Sequence, residues 1–194
     1  MKRSEKVPQR KKEKRNPGKL RPETESQAGM ENREEFKSAK SKALKYLSYR
    51  ERSFLEVHTY LNRKGFSKSA ISKTLDYFTE HDYINDERFA LYWGQSRVTA
   101  KKIGKSRLRQ ELMAKGIEVG LIEKTLGILY DEIDEWEMAE SCAKKKLASL
   151  KGTHPEKIRN RLAQFLKRKG FPGETIYKTL DAVAPQPTTR NIKN

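Results

Sequence analysis

One arrangement of apolar and polar positions, fifteen residues long, occurs three times along the chain. Each copy has a leucine, two further residues, a Lys-Gly-apolar triplet and, four residues later, an Ile-x-Lys-Thr-Leu segment. The copies span residues 61–75, 112–126 and 166–180 and are offset by 51 and 54 residues. A fixed period of this length is typical of tandem repeats, whose units are too small to bury their apolar faces alone. We therefore predict that neighbouring units stack along the chain.

The Lys-Gly-apolar triplet predicts the end of a helix. Glycine readily adopts the left-handed conformation with which many helices end, and Gly65, Gly116 and Gly170 stand where this conformation is needed. With Gly65 in that position, Leu61 and Phe66 form the apolar contact of a Schellman motif, and the preceding lysine suits the negative end of the helix dipole. The apolar residues spaced four apart after each glycine predict a second helix. We interpret the three glycines as structural caps within three helix–turn–helix pairs.

A longer helical segment precedes each pair. These segments are predicted from about Phe36 to Arg50, from Asn85-Asp86 onward, and from about Asp131 to Leu150. The pair helices are predicted over residues 53–64, 68–79, 105–115, 119–130, 155–169 and 173–183. No segment alternates as a strand would. The predicted fold class is therefore all-α: an elongated, curved array of three tandem three-helix repeats, at residues 36–80, 81–130 and 131–184.

The composition agrees with an extended array. The chain has 194 residues, of which 36% are charged and 35% hydrophobic, a low apolar share for one compact globule. It has no apolar run of about 18 residues to span a membrane and no apolar stretch of a secretory signal near its N-terminus. Cys142 is the only cysteine, which excludes an internal disulfide. We expect a cytoplasmic monomer with no membrane partner.

Positive charge is unevenly distributed. The net charge of the chain is +17, and residues 1–21 alone hold ten lysines and arginines against two glutamates. Together with the polar residues 22–35, this segment is predicted to form a disordered basic arm and linker. Residues 185–194 are predicted to form a flexible tail. Residues 36–184 still hold 30 lysines and arginines against 19 acids, with a dense cluster between Lys101 and Arg109. A fold this basic is expected to meet a polyanion or an acidic surface.

No residues form a recognisable catalytic or cofactor site. Gly104-Lys105-Ser106 resembles the end of a phosphate loop, but Thr99 stands where the first glycine of that motif is required. The three histidines are far apart, and Cys142 has no metal-ligand spacing to any of them. No nucleophile–base arrangement can be named. We expect a protein that is not an enzyme and needs no cofactor or metal.

One aromatic residue is a candidate for stacking on nucleic-acid bases. Phe89 and Trp93 lie four residues apart, a spacing more often found in a core. Tyr92 lies off that stripe and is the better surface candidate.

Several of these motifs resemble those of the RecX regulatory proteins. The resemblance is carried by residues 47–56, 84–90, 104–117 and 165–171, which occur in the family's order, and it covers about residues 38–183. It implies a curved helical clamp that binds the RecA recombinase and lies in the groove of RecA–single-stranded-DNA filaments. It also implies that the protein suppresses strand exchange and ATP hydrolysis, with a role in DNA recombination, DNA repair and the SOS response. The leader, residues 1–35, has no counterpart in the resemblance.

Two functional classes follow from these observations. The first is a regulator that docks on RecA filaments. The second is a direct DNA-binding protein, on single- or double-stranded DNA, that uses tandem helix–turn–helix units; a purely structural scaffold is a third option. The candidate filament or DNA contacts are Arg50, Arg52, Lys64, Lys101, Lys102, Lys105, Arg107, Arg109, Lys115, Lys167, Arg168 and Lys169. For each of them a solvated or helix-capping role is the alternative.

Overall fold

The computed structural model describes residues 27–150 and 154–185. In these ranges the chain forms nine α-helices and one π-helix, without strands. The first unit comprises α1 (Gln27–Leu47), α2 (Phe54–Arg63) and α3 (Lys68–Glu80). The second comprises α4 (Asp86–Ser96), a π-helix (Arg97–Lys101), α5 (Lys105–Ala114) and α6 (Val119–Tyr130). The third comprises α7 (Glu135–Ala148), α8 (Pro155–Lys169) and α9 (Gly173–Val183). The prediction of an all-α chain built from three tandem three-helix units is confirmed.

Helix α1 begins well before the predicted start at Phe36, so the prediction that residues 27–35 are a disordered linker was wrong. Its early turns dock on the start of α3. Glu35 accepts hydrogen bonds from the backbone amide and the hydroxyl of Ser67, both at 2.6 Å, and Asn32 accepts one from Lys73 at 3.2 Å. These contacts are polar, so apolar periodicity does not reveal them. The predicted basic arm and flexible tail otherwise fall on residues 1–26 and 186–194, which lie outside the described residues.

The three repeated glycines end their helices in the same way. Their φ angles are +83° at Gly65, +78° at Gly116 and +87° at Gly170. In each case the amide of the next residue donates to the carbonyl of the repeat's leucine, as from Phe66 to Leu61 at 3.4 Å. The glycine amide donates to the residue after that leucine, at 2.9–3.0 Å in all three turns. This pair of hydrogen bonds defines the Schellman motif.

Each unit buries its own apolar cluster. Leu61 and Phe78 lie at the centre of the first, Leu108 and Leu112 of the second, and Leu162 and Leu166 of the third, all fully buried. The partly buried Met138 packs against both the second and the third cluster. The buried residues thus form three separate clusters, and Met138 is an apolar contact shared by the second and the third.

The repeated threonine accompanies these clusters. Thr74, Thr125 and Thr179 are 0–1% exposed, and each hydroxyl donates to the carbonyl four residues earlier in its helix, at 2.7–2.8 Å. The hydroxyl is thus satisfied within its own helix although the residue is buried. This explains why a polar residue recurs at a core position of the repeat.

The junctions between units follow a common scheme at the start of α2 and α5. Between the first two units, the Ser53 hydroxyl donates to the carbonyl of Lys115 at 2.7 Å, and Asp86 accepts from the Phe54 amide at 2.8 Å. Between the last two, the Gly104 amide donates to the carbonyl of Lys169 at 2.8 Å. In each case the lysine before the repeat glycine meets the start of a helix in the preceding unit. The first amide of the helix also donates a hydrogen bond to a carboxylate of the next unit. At the second junction this carboxylate is Glu135, which accepts from the Lys105 amide at 3.0 Å.

Candidate polyanion-binding clefts

The second and third units meet along a ridge formed by Lys101 and Lys169. The Lys169 ammonium group donates to the carbonyl of Lys101 and lies 3.5 Å from that of Lys102. Lys102 itself has a positive φ of 47°, uncommon for a residue other than glycine, and ends the π-helix there. The Lys102 ammonium donates to the Ser141 hydroxyl of α7 at 2.9 Å. This irregular backbone brings the end of the π-helix against α7 and α8.

A cleft of about 410 Å³, here called the first cleft, lies on one side of the ridge. Six cationic side chains and one carboxylate, Glu111, line it; the cations are Arg97, Lys101, Arg107, Lys167, Arg168 and Lys169. Glu111 accepts hydrogen bonds from Arg97 at 2.6 Å and from Arg107 at 3.1 Å. One acid thus orients two guanidinium groups, and the cleft keeps a large excess of positive charge.

A second cleft, also about 410 Å³, lies on the other side of the ridge. Its cationic residues are Lys101, Lys102, Lys145, Lys146 and Lys169, and no described carboxylate lines it. Among the described residues, Lys101, Lys145, Lys146, Lys167 and Arg168 form no ion pair. The two clefts therefore present cations whose charge is available to an anionic ligand.

The structure brings together only some of the predicted contact residues. Lys101, Arg107, Lys167, Arg168 and Lys169 share the first cleft, although the two groups are about 60 residues apart in sequence.

Other residues of the predicted Lys101–Arg109 cluster point elsewhere. Arg109 forms a two-point salt bridge with Glu123 of α6, with both hydrogen bonds at 2.8 Å. Lys105 lies near the ring of Tyr130, 5.6 Å from its centroid.

The candidates at the junction of the first two units surround a single carboxylate, Glu56. Arg50 donates to both of its oxygens, at 3.0 and 2.8 Å, and the Lys115 ammonium donates at 2.6 Å. Burial alone would raise the pKa of Glu56, but these hydrogen bonds and charges hold it at about 2. Both cations also lie over the ring of Trp93. We conclude that Arg50 and Lys115 join the units and are less free to bind a ligand.

The two remaining candidates lie on the first unit. The guanidinium group of Arg52 stacks over the Tyr46 ring, 4.0 Å from its centroid, and the exposed Lys64 lies 5.7 Å from the Tyr60 ring. Neither lines a cleft described above.

Sequence reasoning missed three cleft residues, Arg97, Lys145 and Lys146. The run of three lysines at 144–146 was visible, but its approach to Lys101 and Lys169 depends on how α7 packs on the second unit. Arg97 opens the π-helix, which no sequence pattern predicted.

Of the aromatic residues, Phe89 is 1% exposed and belongs to the second cluster, whereas Tyr92 is 66% exposed.

Three models of RecX domains match the chain in order. The first three-helix domain matches residues 39–78, the second 85–126 and the third 132–180. The regulatory protein RecX of Chlorobium phaeobacteroides is 37% identical over 147 residues, which cover 76% of this chain and 94% of that protein. The chain belongs to the RecX family. The resemblance stated from its motifs is thus confirmed.

Further RecX proteins agree with this assignment. The regulatory protein RecX of Chlorobium limicola is 33% identical over 138 residues, covering 71% of this chain and 84% of that protein. The crystal structure of RecX from Lactobacillus salivarius superposes with a TM-score of 0.65 at 24% identity, covering 78% of this chain and 97% of that one, a likeness of fold. Within the described residues of this RecX-family chain, every helix is too short or too polar to cross a bilayer.

Proposed function

We propose that this RecX-family chain binds RecA and RecA–single-stranded-DNA filaments and modulates them, mostly by inhibiting recombinase and ATPase activity. Family membership supports the partner, because the relatives are named regulatory proteins and the family's resemblance implies RecA. The observation that carries the contact is the pair of clefts beside Lys101 and Lys169. Their cations suit the phosphates of filament-bound DNA, since lysine and arginine contacts to phosphate release counterions and dominate such affinity.

The role is that of a binding protein without a reaction of its own. It acts in the cytoplasm as a monomer, in DNA recombination and repair. In the described residues, no group of three or more potential metal ligands comes together. A chain that is bound to the filament through its clefts would obstruct the conformational changes of the RecA subunits. In this way a non-catalytic protein can lower the rate of ATP hydrolysis.

The test measures ATP hydrolysis by RecA on single-stranded DNA with substoichiometric amounts of the full chain. We expect dose-dependent inhibition that is weakened by the double substitution Lys167→Ala with Arg168→Ala, because both side chains line the first cleft. The matched control is Lys42→Ala with Lys45→Ala, which removes the same charge from the exposed side of α1.

Equal inhibition by the two double variants would exclude the clefts as the contact, and no inhibition by the unaltered chain would exclude the function. Duplex affinity without loss of ATPase activity would favour the alternative, a direct DNA-binding protein with tandem helix–turn–helix units.

A further inference from the structure

A groove of about 390 Å³ lies between the two pair helices of the third unit. Its walls include Ala163, Phe171, Ile176, Tyr177 and Leu180, with Lys167 at its rim. Ile176 and Leu180 are buried repeat positions, whereas the Tyr177 side chain is 69% exposed. The groove is therefore an apolar recess that a side chain from outside can enter.

A corresponding groove lies in the first unit, whereas a salt bridge spans the two helices in the second, and two equivalent positions distinguish the three units. In the first unit these positions are His58 and Ser72, which leave a more polar groove of about 490 Å³. In the second they are Arg109 and Glu123, whose salt bridge spans the two helices. In the third they are Ala163 and Tyr177, which leave the groove open and apolar.

The third-unit groove adjoins the first cleft at Lys167, which lines both. An apolar recess thus adjoins a surface that carries Arg107, Arg168 and Lys169. A ligand that fills both needs an apolar group and, a few residues away, several negative charges.

We infer that the third-unit groove and the first cleft together bind an acidic peptide segment of another protein. One apolar side chain of that segment enters the groove beside Tyr177, and neighbouring carboxylates meet Lys167 and Arg168. This goes beyond the proposed function, since the clefts can contact DNA phosphates with the groove empty.

Charge complementarity selects this occupant. Residues 186–194 contain Arg190 and Lys193 and no acid, and residues 1–21 are strongly basic, so neither segment complements the cleft. A second copy of a chain with net charge +17 is repelled. Single-stranded nucleic acid stacks its bases on successive aromatic rings, and Tyr177 is the only exposed aromatic ring among the described residues that line the groove.

The experiment uses a fluorescein-labelled peptide with one phenylalanine flanked on both sides by aspartate and glutamate. Anisotropy titration of the full chain at moderate salt should show binding. The substitutions Tyr177→Ser and Ala163→Glu should each weaken it by at least about tenfold, because the first removes an anchor contact and the second places a like charge in the groove. His58→Glu, at the equivalent position of the first-unit groove, is the matched control and should leave the affinity unchanged. A peptide with serine in place of phenylalanine should bind as weakly as the Tyr177→Ser variant binds the original.

Three outcomes would overturn the inference: no binding of the phenylalanine peptide, equal loss with His58→Glu, or weaker oligothymidylate binding by Tyr177→Ser with unchanged peptide binding. Sedimentation that shows groove-dependent dimers would assign the groove to a second copy and would also overturn it. Circular dichroism checks that each variant remains helical, which is expected for the exposed Tyr177. RecA ATPase inhibition by the unaltered chain, measured in parallel, separates failure of this inference from failure of the proposed function.

Discussion

Gly104 and Gly170 lie close together at the ridge beside the clefts. Substituting each glycine separates two effects, the backbone strain of a left-handed turn and the steric overlap between two neighbouring units. Gly104 has φ −80° and ψ 167°, which alanine adopts without strain. However, a Cβ at Gly104 would lie 2.5 Å from the carbonyl oxygen of Gly170 and 3.0 Å from the amide nitrogen of Phe171. Carbon contacts at their energy minimum are about 3.5–4.0 Å, and backbone atoms cannot rotate away. Gly104→Ala must therefore push the second and third units apart.

The magnitude follows from what is lost. Overpacking a close contact typically costs about 1–3 kcal/mol, and the hydrogen bond from the Gly104 amide to Lys169 is worth about 0.5–1.5 kcal/mol. If the junction opened freely, the lower entropy of the unfolded alanine chain would instead stabilise the fold by about 0.4–1 kcal/mol. We therefore expect Gly104→Ala to destabilise the chain by about 1–3 kcal/mol.

Two further substitutions calibrate this value. Gly65→Ala forces alanine into the existing positive φ of 83°, and no atom lies within 4 Å of the new Cβ, so it should cost about 1–2 kcal/mol from the left-handed conformation alone. Gly170→Ala combines that strain with an overlap against the backbone of Arg107 and should be the most destabilising of the three.

The assay is urea denaturation followed by circular dichroism, with hydrogen exchange of the Gly104 amide as the local measurement. Gly104→Ala should accelerate exchange of that amide far more than Gly65→Ala does, even at similar global stability. A Gly104→Ala chain that is as stable as the unaltered one, with a protected amide, would refute the close junction.

Two other perturbations test the charges. The pKa of Glu56 in the folded chain, about 2, lies below its ordinary value of 4.5. Its contribution to the free energy of unfolding is therefore complete above pH 4.5 and is lost as the pH falls towards 2. At 1.36 kcal/mol per pKa unit the upper limit of this contribution is about 3.4 kcal/mol, and solvent screening lowers it. Urea denaturation of Glu56→Gln should show a flatter pH dependence in that window. An identical pH dependence in both chains would contradict the junction role of Glu56. Deletion of residues 1–21, which carry a net charge of +8, should reduce the salt dependence of DNA binding measured by anisotropy. An unchanged salt dependence would mean that this segment does not reach the phosphates.

The helix pairs could be predicted from sequence because their signals are local. A glycine that needs a positive φ, its preceding lysine and apolar residues four apart all act within a few residues, as at Gly65 and Ile71. The start of α1 could not, because it depends on Glu35 reaching Ser67, 32 residues away.

The lining of the clefts could be predicted only in part, because sequence proximity does not fix the direction of a side chain. Arg107 and Arg109 are two residues apart on α5, a spacing at which side chains do not share a helix face. Arg107 lines the first cleft, and Arg109 is held by Glu123 on another face. Lys145 and Lys146 reach the second cleft only through the packing of α7 on a different unit, and a single sequence carries no signal for that packing.

The separation of the three apolar clusters has a mechanical consequence. Hydrogen bonds join both pairs of neighbouring units, and ion pairs also join the first two. We expect a small rotation of one unit on the next to expose little apolar surface and to cost mainly electrostatic energy. The salt concentration, the pH and a bound anion would each change that electrostatic energy. We therefore expect such changes to alter the junctions between units more than the apolar clusters within them.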